Sequence, residues 1–256
     1  MKRSSSLEDW DKFWDPERSV GEIYPASESI VENLKEVVEV TGKNILEVGA
    51  GTGRDSIRLS SMGGNVTVLD YSENALMKIR EAVNQSGTTV VFVKGDGTKL
   101  PFDDETFDIV FHQGLMEHFR DPLPLFRENV RVLKKGGLLL VDVPQKYHVY
   151  TIIKHILIMF NKWFAGWETE FSIRQLRKIY RDHHLVVCRE YGDYMVPSFF
   201  YRTLREVLKL TGIKLPMYPK SLPVLGSIRK ACKSFVIKRR LTLYTFLTIG
   251  IIGKKV

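Results

Sequence analysis

Apolar positions along the chain fall into short continuous runs, separated by stretches in which they recur every three or four residues. The runs at 44–49, 65–70, 89–94, 107–112 and 137–143 are rich in Val, Ile, Leu and Phe, the pattern of strands buried on both faces. Between them, Leu76, Ile79 and Val83 share one face of a helix for which Ser72 is the cap. Leu125 to Leu133 repeats at helical spacing until Lys134-Lys-Gly-Gly137 ends it. Ser172-x-x-Gln175 forms a capping box for a helix to about Arg181, Leu185-Val-Val-Cys188 reads as a sixth strand, and residues 241–253 supply a seventh. Strand alternating with helix predicts a doubly wound α/β sheet.

Two segments leave that rhythm, 146–170 and 193–240. The first places Tyr147, His148, Tyr150, Trp163, Phe164 and Trp167 around the apolar stretch Ile152 to Phe160, and the second carries Pro197, Pro216, Pro219 and Pro223 among basic helical pieces. Both read as substrate-side insertions, although most of their aromatics also have a core to fill. Residues 1–40 read as an N-terminal lid, with Trp10, Phe13, Trp14 and Tyr24 able to close over a ligand or to pin the segment to the core. Residues 41–145 are then the binding core of a single domain spanning 1–256.

Composition narrows the class. With 256 residues, 44% of them hydrophobic and 27% charged, the chain is an ordinary globular protein. Cys188 and Cys232 are too few for a disulfide framework and read as small buried side chains, and the basic start lacks an apolar leader, so a cytoplasmic protein is expected. The net charge of +8 is concentrated late, with thirteen Lys or Arg against Glu206 alone from Arg202 onward. That excess suits either a solvated basic face or an anionic partner. The 13 residues from Leu241 to Gly253 fall short of the roughly 18–20 that span a bilayer.

The chemistry centres on Asn44-Ile-Leu-Glu-Val-Gly-Ala-Gly-Thr-Gly-Arg-Asp55, an apolar strand that runs through Gly49, Gly51 and Gly53 into a helix. Such a turn lets a ligand approach main-chain atoms. By itself it serves many nucleotide cofactors. The dinucleotide pattern would place its third glycine where Arg54 stands, however, and Asp70 ends the second apolar run while Asp96 follows the third. A carboxylate matches the two hydroxyl donors of a ribose and repels a phosphate, so Asp70 argues against a 2′-phosphorylated cofactor.

Over residues 42–145 the chain resembles the class I S-adenosylmethionine-dependent methyltransferases, in particular the type 11-like group that methylates small molecules. The resemblance rests on Glu47-x-Gly49-x-Gly51-x-Gly53, Asp70, Gly95-Asp-Gly-Thr98, Leu100-Pro-Phe102, Phe107-Asp-Ile-Val-Phe111 and His112-Gln-Gly-Leu-Met-Glu-His118. It implies a Rossmann-like seven-stranded sheet, mostly parallel with an antiparallel last strand. It also implies S-adenosyl-L-methionine as the cofactor. Gly49, Gly51, Thr52 and Gly53 would pass under its methionine part, with Glu47 near the ammonium. Asp70 would hold the ribose and Tyr71 would lie by the adenine. Asp96 would take the adenine amine, with Gly97 or Thr98 giving a backbone donor. Gln113 would hold the methionine end, and His118 or Glu117 would approach the acceptor.

Methyl transfer is an in-line displacement that needs alignment more than a general base, so proton removal by His118 is optional. His155, His183 and His184 read as structural or exposed. No His-Glu-x-x-His, Cys-x-x-Cys or Gly-x-Ser-x-Gly occurs, so no metal site is expected and a zinc hydrolase or serine esterase lacks its central parts. The Asn-Pro-Pro-Tyr type of signature is absent after the fourth run, which disfavours nucleic acid and protein amides as substrates. The reading is a small-molecule methyltransferase whose acceptor is lipid-like, lipid-linked or a soluble metabolite, with oxygen preferred as acceptor atom and peripheral contact with an anionic membrane surface. An NAD(P)-dependent Rossmann oxidoreductase and a non-catalytic S-adenosylmethionine-binding module stand as alternatives.

Overall fold

The apolar runs assemble into one sheet. In the computed structural model, which describes residues 6–15, 17, 29–160, 168–193, 199–217 and 242–256, the strand order is β3-β2-β1-β4-β5-β7-β6. The strands are β1 (Asn44–Val48), β2 (Asn65–Asp70), β3 (Val90–Lys94), β4 (Phe107–Gln113), β5 (Leu133–Pro144), β6 (Leu185–Asp193) and β7 (Thr248–Lys255). β1 to β5 pair in parallel, and β7 runs antiparallel to both β5 and β6. This is the Rossmann-like sheet that the sequence implied, with its direction of winding reversing between β1 and β4.

Nine helices are described: α1 (Leu7–Phe13), α2 (Ile30–Lys35), α3 (Arg54–Ser61), α4 (Glu73–Ser86), α5 (Leu123–Val132), α6 (Val149–Met159), α7 (Ile173–Asp182), α8 (Phe199–Leu210) and α9 (Thr242–Thr245). The expected caps are in place. The backbone N–H of Ala75 donates to Ser72 Oγ at 3.3 Å at the start of α4, and Ser172 and Gln175 close their box at the start of α7. Ile30, Leu34, Leu59, Leu76 and Ile79 from α2, α3 and α4 cover one face of the sheet. Phe126, Leu176 and Tyr180 from α5 and α7 cover the other.

Several expectations shift. The seventh strand begins at Thr248, because residues 242–245 form the turn α9 and bury Leu243 instead of continuing the ladder. The fifth begins at Leu133. Its pairing with β4 jumps from Phe107↔Leu133 to Ile109↔Leu138, so the Lys134–Gly137 stretch is a bulge within the strand. Cys188 is exposed, not buried, since β6 is the edge strand and this part of it faces outward. Tyr24, Trp163, Phe164, Trp167, Pro197, Pro219, Pro223 and Cys232 lie outside the described residues. No described helix is long and apolar enough to cross a membrane.

Tyr180 fastens the antiparallel end of the sheet. Its ring is fully buried against Gly253, where an added Cβ would come within 2.5 Å of it. Its hydroxyl donates toward Ile251 O at 2.9 Å and Leu139 O at 3.2 Å, spanning β7 and β5. Gly253→Ala should therefore cost about 1–3 kcal/mol by overpacking, read as a lower urea midpoint with an unchanged slope.

Candidate cofactor and acceptor site

The site lies at the carboxyl ends of β1, β2 and β4, at the reversal of strand order. Gly49, Gly51 and Gly53 all have positive φ (66°, 54° and 63°), which an L side chain adopts only at a steric cost. Space enforces the same choice. A Cβ at Gly49 would meet Leu115 at 2.8 Å, one at Gly53 would meet Ile79 at 2.5 Å, and one at Gly51 would press on the Trp14 indole at 3.1 Å. The loop is thus a cradle of bare backbone, and Gly53 hands it directly to α3.

Buried carboxyls surround that cradle. Glu47 is 5% exposed and accepts a short 2.5 Å hydrogen bond from Ser56 Oγ on α3. Its own burial first, and then the nearby Asp55, push its pKa well above the ordinary glutamate range. Asp70, also buried, accepts from Gly51 N at 3.0 Å and Ser72 N at 2.9 Å, one donor to each oxygen. Burial raises its pKa, and those two N–H groups partly offset the shift. Each oxygen keeps a lone pair for a further donor. Tyr71, next in sequence, is half exposed.

The remaining expected residues divide. Gly95 N donates to Asp70 O at 3.0 Å, which brings the end of β3 beside the end of β2. Asp96 is exposed there, and its Oδ1 accepts from Thr98 N and Thr98 Oγ1, both at 2.8 Å. Gly97 abuts Leu125 and Val48, leaving no room for a side chain. Thr52 Oγ1 lies 3.5 Å from Arg54 Nε. Gln113 ends β4, in register with Asp142 of β5.

The N-terminal helix α1 lies across the same edge. Trp14 covers Gly51, Asp11 Oδ1 accepts from Ser72 Oγ at 2.6 Å, and Trp10 meets the His118 ring edge-on at 4.6 Å. α1 thereby spans the cradle from the end of β2 to the turn Met116–His118 after β4. His118 sits under an indole here. His155 and His183 are structural, as expected: His155 Nε2 lies 2.8 Å from Glu170 Oε2, and His183 Nδ1 lies 2.8 Å from Ile179 O.

Sequence reading missed a charged network in the segment 146–170. Lys154 of α6 is 2% exposed, with its Nζ 2.7 Å from both Glu168 Oε2 and Glu170 Oε1. Burial opposes its charge, yet the two carboxylates hold its pKa above the ordinary lysine value. Glu117 is buried beside them, its pKa pushed well up by burial and by Glu168, and its backbone carbonyl accepts from Thr169 N at 2.9 Å. No pattern announces this network, since Lys154 occupies a position that an amphipathic helix would expose. No cluster of potential metal ligands occurs among the described residues.

Comparison with known proteins supports the same reading of this fold and cradle. A family described as "Methyltransferase domain" matches residues 46–141. The chain is similar to a demethylmenaquinone methyltransferase of Clavibacter sepedonicus, 36% identical over 111 residues, which are 43% of this chain and 45% of that protein. It is also similar to one of Listeria welshimeri, 34% identical over 152 residues, 55% of this chain and 64% of that protein. It therefore spans less than two thirds of either relative. Its fold is shared with a solved S-adenosylmethionine-dependent methyltransferase from Aquifex aeolicus, at a TM-score of 0.57 and 19% identity, covering 98% of this chain and 99% of that one.

The raised pKa of Glu47 has a consequence for stability. A carboxyl that holds its proton more tightly when folded contributes stability below its unfolded pKa, near the ordinary 4.5, and that contribution is lost as pH rises through the folded value. Glu47→Gln should therefore flatten the decline of Tm from pH 5 upward. A variant whose decline parallels wild type would contradict a buried, proton-holding Glu47.

Proposed function

We propose that the chain catalyses methyl transfer from S-adenosylmethionine to a small-molecule acceptor with an apolar body, by in-line displacement. The observation that carries this reading is the acidity of the cradle. Asp55 and Asp70 lie close enough to Glu47 at the glycine turn to add to the rise that burial gives its proton affinity. A dinucleotide would lay its pyrophosphate at the N-terminus of α3, among these carboxyls, and be repelled. A ligand with a cationic ammonium and a sulfonium relieves the same repulsion.

The residues present fit that ligand. When bound, S-adenosylmethionine supplies an electrophilic methyl group on sulfur. The bare backbone of Gly49 to Gly53 would carry its methionine part, Glu47 would face the ammonium, and the open lone pairs of Asp70 would take the ribose hydroxyls. Asp96, with Gly97 and Thr98, would serve the adenine, beside Tyr71. Gln113 and the turn to His118 would line the methyl side, where Trp10 and Trp14 exclude water. The chain's main task is to hold two reactants in line, which accounts for a site with no nucleophile of its own.

The apolar acceptor is suggested by the relatives named as demethylmenaquinone methyltransferases and by the surface of α6. That helix buries Thr151, Lys154 and Ile158 while Ile152, Ile156, Met159 and Phe160 are each at least 48% exposed. Leu204 and Val207 on α8 are exposed as well, and the sequence from Arg202 onward is rich in Lys and Arg. Apolar side chains flanked by cations suit peripheral contact with an anionic bilayer that delivers the acceptor.

Asp70→Ala should weaken S-adenosylhomocysteine binding by about 1–3 kcal/mol in calorimetry, and unchanged affinity would contradict the ribose assignment. Incubation with methyl-labelled cofactor and a lipid extract should transfer label to an organic-soluble product. Cofactor binding without turnover on any extract would instead make the chain a binding module. Cosedimentation with vesicles containing phosphatidylserine should occur at low salt and weaken with Ile156→Glu. Absence of binding at any salt would sink the membrane contact.

A further inference from the structure

The loop from β3 to β4 is held at both ends by elements outside it. At its entry, Gly95 N donates to Asp70 O at 3.0 Å, beside the end of β2. At its exit, Glu105 N and Thr106 N donate to the carbonyls of Arg131 and Val132, at 3.0 and 2.9 Å, where α5 ends. Between these backbone ties lies Asp96, exposed, with the chain turned back on it. Thr98 N donates to its Oδ1 at 2.8 Å, and Lys99 N donates to its carbonyl at 3.0 Å.

One ion pair on α5 fixes the middle of the loop. Glu128 Oε2 accepts from Leu100 N at 2.7 Å, while Arg131 donates to Leu100 O at 3.0 Å and to Phe102 O at 2.8 Å. Both main-chain groups of Leu100 are therefore held by side chains three residues apart on one helix. The guanidinium directs its other donors to Asp104 Oδ1 at 2.7 Å and to the two oxygens of Glu128, each at 2.8 Å. All five of its N–H groups are thus in use.

Stability alone does not account for this investment. The Arg131 and Glu128 side chains are 31% and 20% exposed, and an ion pair so placed adds little to folding by itself. Its effect is on the order of the loop. Leu100 is buried, and a Cβ at Gly97 would meet Leu125 at 2.8 Å and Val48 at 2.9 Å. With Leu100 pinned on one side and Gly97 pressed against β1 and α5 on the other, the turn from Asp96 to Lys99 is held in one place.

We propose that Glu128 and Arg131 are positioning residues for the choice of nucleobase: the pair fixes Leu100, and through the Asp96–Lys99 turn it sets where the Asp96 carboxylate meets the adenine amine. This rests on the S-adenosylmethionine reading and deepens it, since it names what makes an exposed loop carboxylate selective. Held in place, the carboxylate accepts from an exocyclic amine and repels the carbonyl oxygen that hypoxanthine carries at the same position. On a loose loop it would turn to other donors or to water. Lysine cannot replace Arg131 here, because three donors on one nitrogen do not span Leu100 O, Phe102 O and Glu128 together.

Two measurements on the full chain test the assignment. S-adenosylhomocysteine and its hypoxanthine counterpart, S-inosylhomocysteine, are titrated by calorimetry into wild type, Arg131→Lys and Glu128→Ala. Wild type should prefer the adenine ligand at least about tenfold, and each variant should lose most of that preference, chiefly by weakening the adenine ligand. In hydrogen exchange without ligand, the amides of Thr98, Lys99 and Leu100 should exchange at least about tenfold faster in the variants. Those of Glu105 and Thr106, tied by backbone bonds, should keep their protection. A merely structural pair would lower Tm and weaken both ligands alike, so an unchanged ratio overturns the proposal. Exchange that stays slow at 98–100, or that rises equally at 105–106, overturns it as well. Wild type that binds both ligands equally would overturn it with the cofactor reading intact, whereas wild type that binds neither takes down the cofactor reading and the proposal together.

Discussion

The structure depends on crowding buried carboxyls around a turn of bare backbone. Glu47 lies near the end of β1, Asp70 ends β2 and Asp55 stands in the first turn of α3, and three positions of the turn from β1 to α3 have room only for glycine. Each carboxyl is expensive to bury, and two of the three are met by hydrogen-bond donors: Ser56 for Glu47, and Gly51 and Ser72 for Asp70. Those bonds knit the ends of β1 and β2 to the helices that follow, so the cradle and the fold share the same contacts. A glycine-rich turn into a helix N-terminus favours phosphate, and carboxylates placed around such a turn work against that preference.

Around this point the sheet was legible in the sequence because its signals are local. A glycine with positive φ, a serine before an apolar helix face and a Ser-x-x-Gln box each act within four residues, so the chain states them where they operate. Elements whose ends depend on distant partners were read less well. The last strand looks continuous from 241 to 253, yet Gln145 N bonds Leu247 O and Gln145 Nε2 donates to Leu243 O at 3.3 Å. That remote residue organises the short turn α9 and delays the strand. Likewise Lys134 to Gly137 reads as a helix stop, and only pairing with β4 shows it to be a bulge.

The site was legible to the same depth. Glu47, the glycines and Asp70 converge as their order along the chain suggests, since successive strand ends of a doubly wound sheet are spatial neighbours. The pairings beyond it were not. Lys154 lies among apolar neighbours on α6, and its burial depends on Glu168 and Glu170, which no helical periodicity places opposite it. The outcome is an inverted helix, charged within and apolar without. Tyr191 and Asp142 stand 49 residues apart in the sequence and meet only because β7 inserts between their strands and carries glycine at the crossing.

Buried carboxyls at two places follow different physical logics. In the cradle the buried carboxyls of Glu47 and Asp70 are met by donors from the chain itself. Beyond Gln113 the buried carboxyl of Asp142 is instead approached by two hydroxyls, of Tyr191 and Thr248, with its pKa pushed well up by burial and by Asp193. A fold selected for stability alone would replace such groups with apolar ones of similar volume, often at no cost.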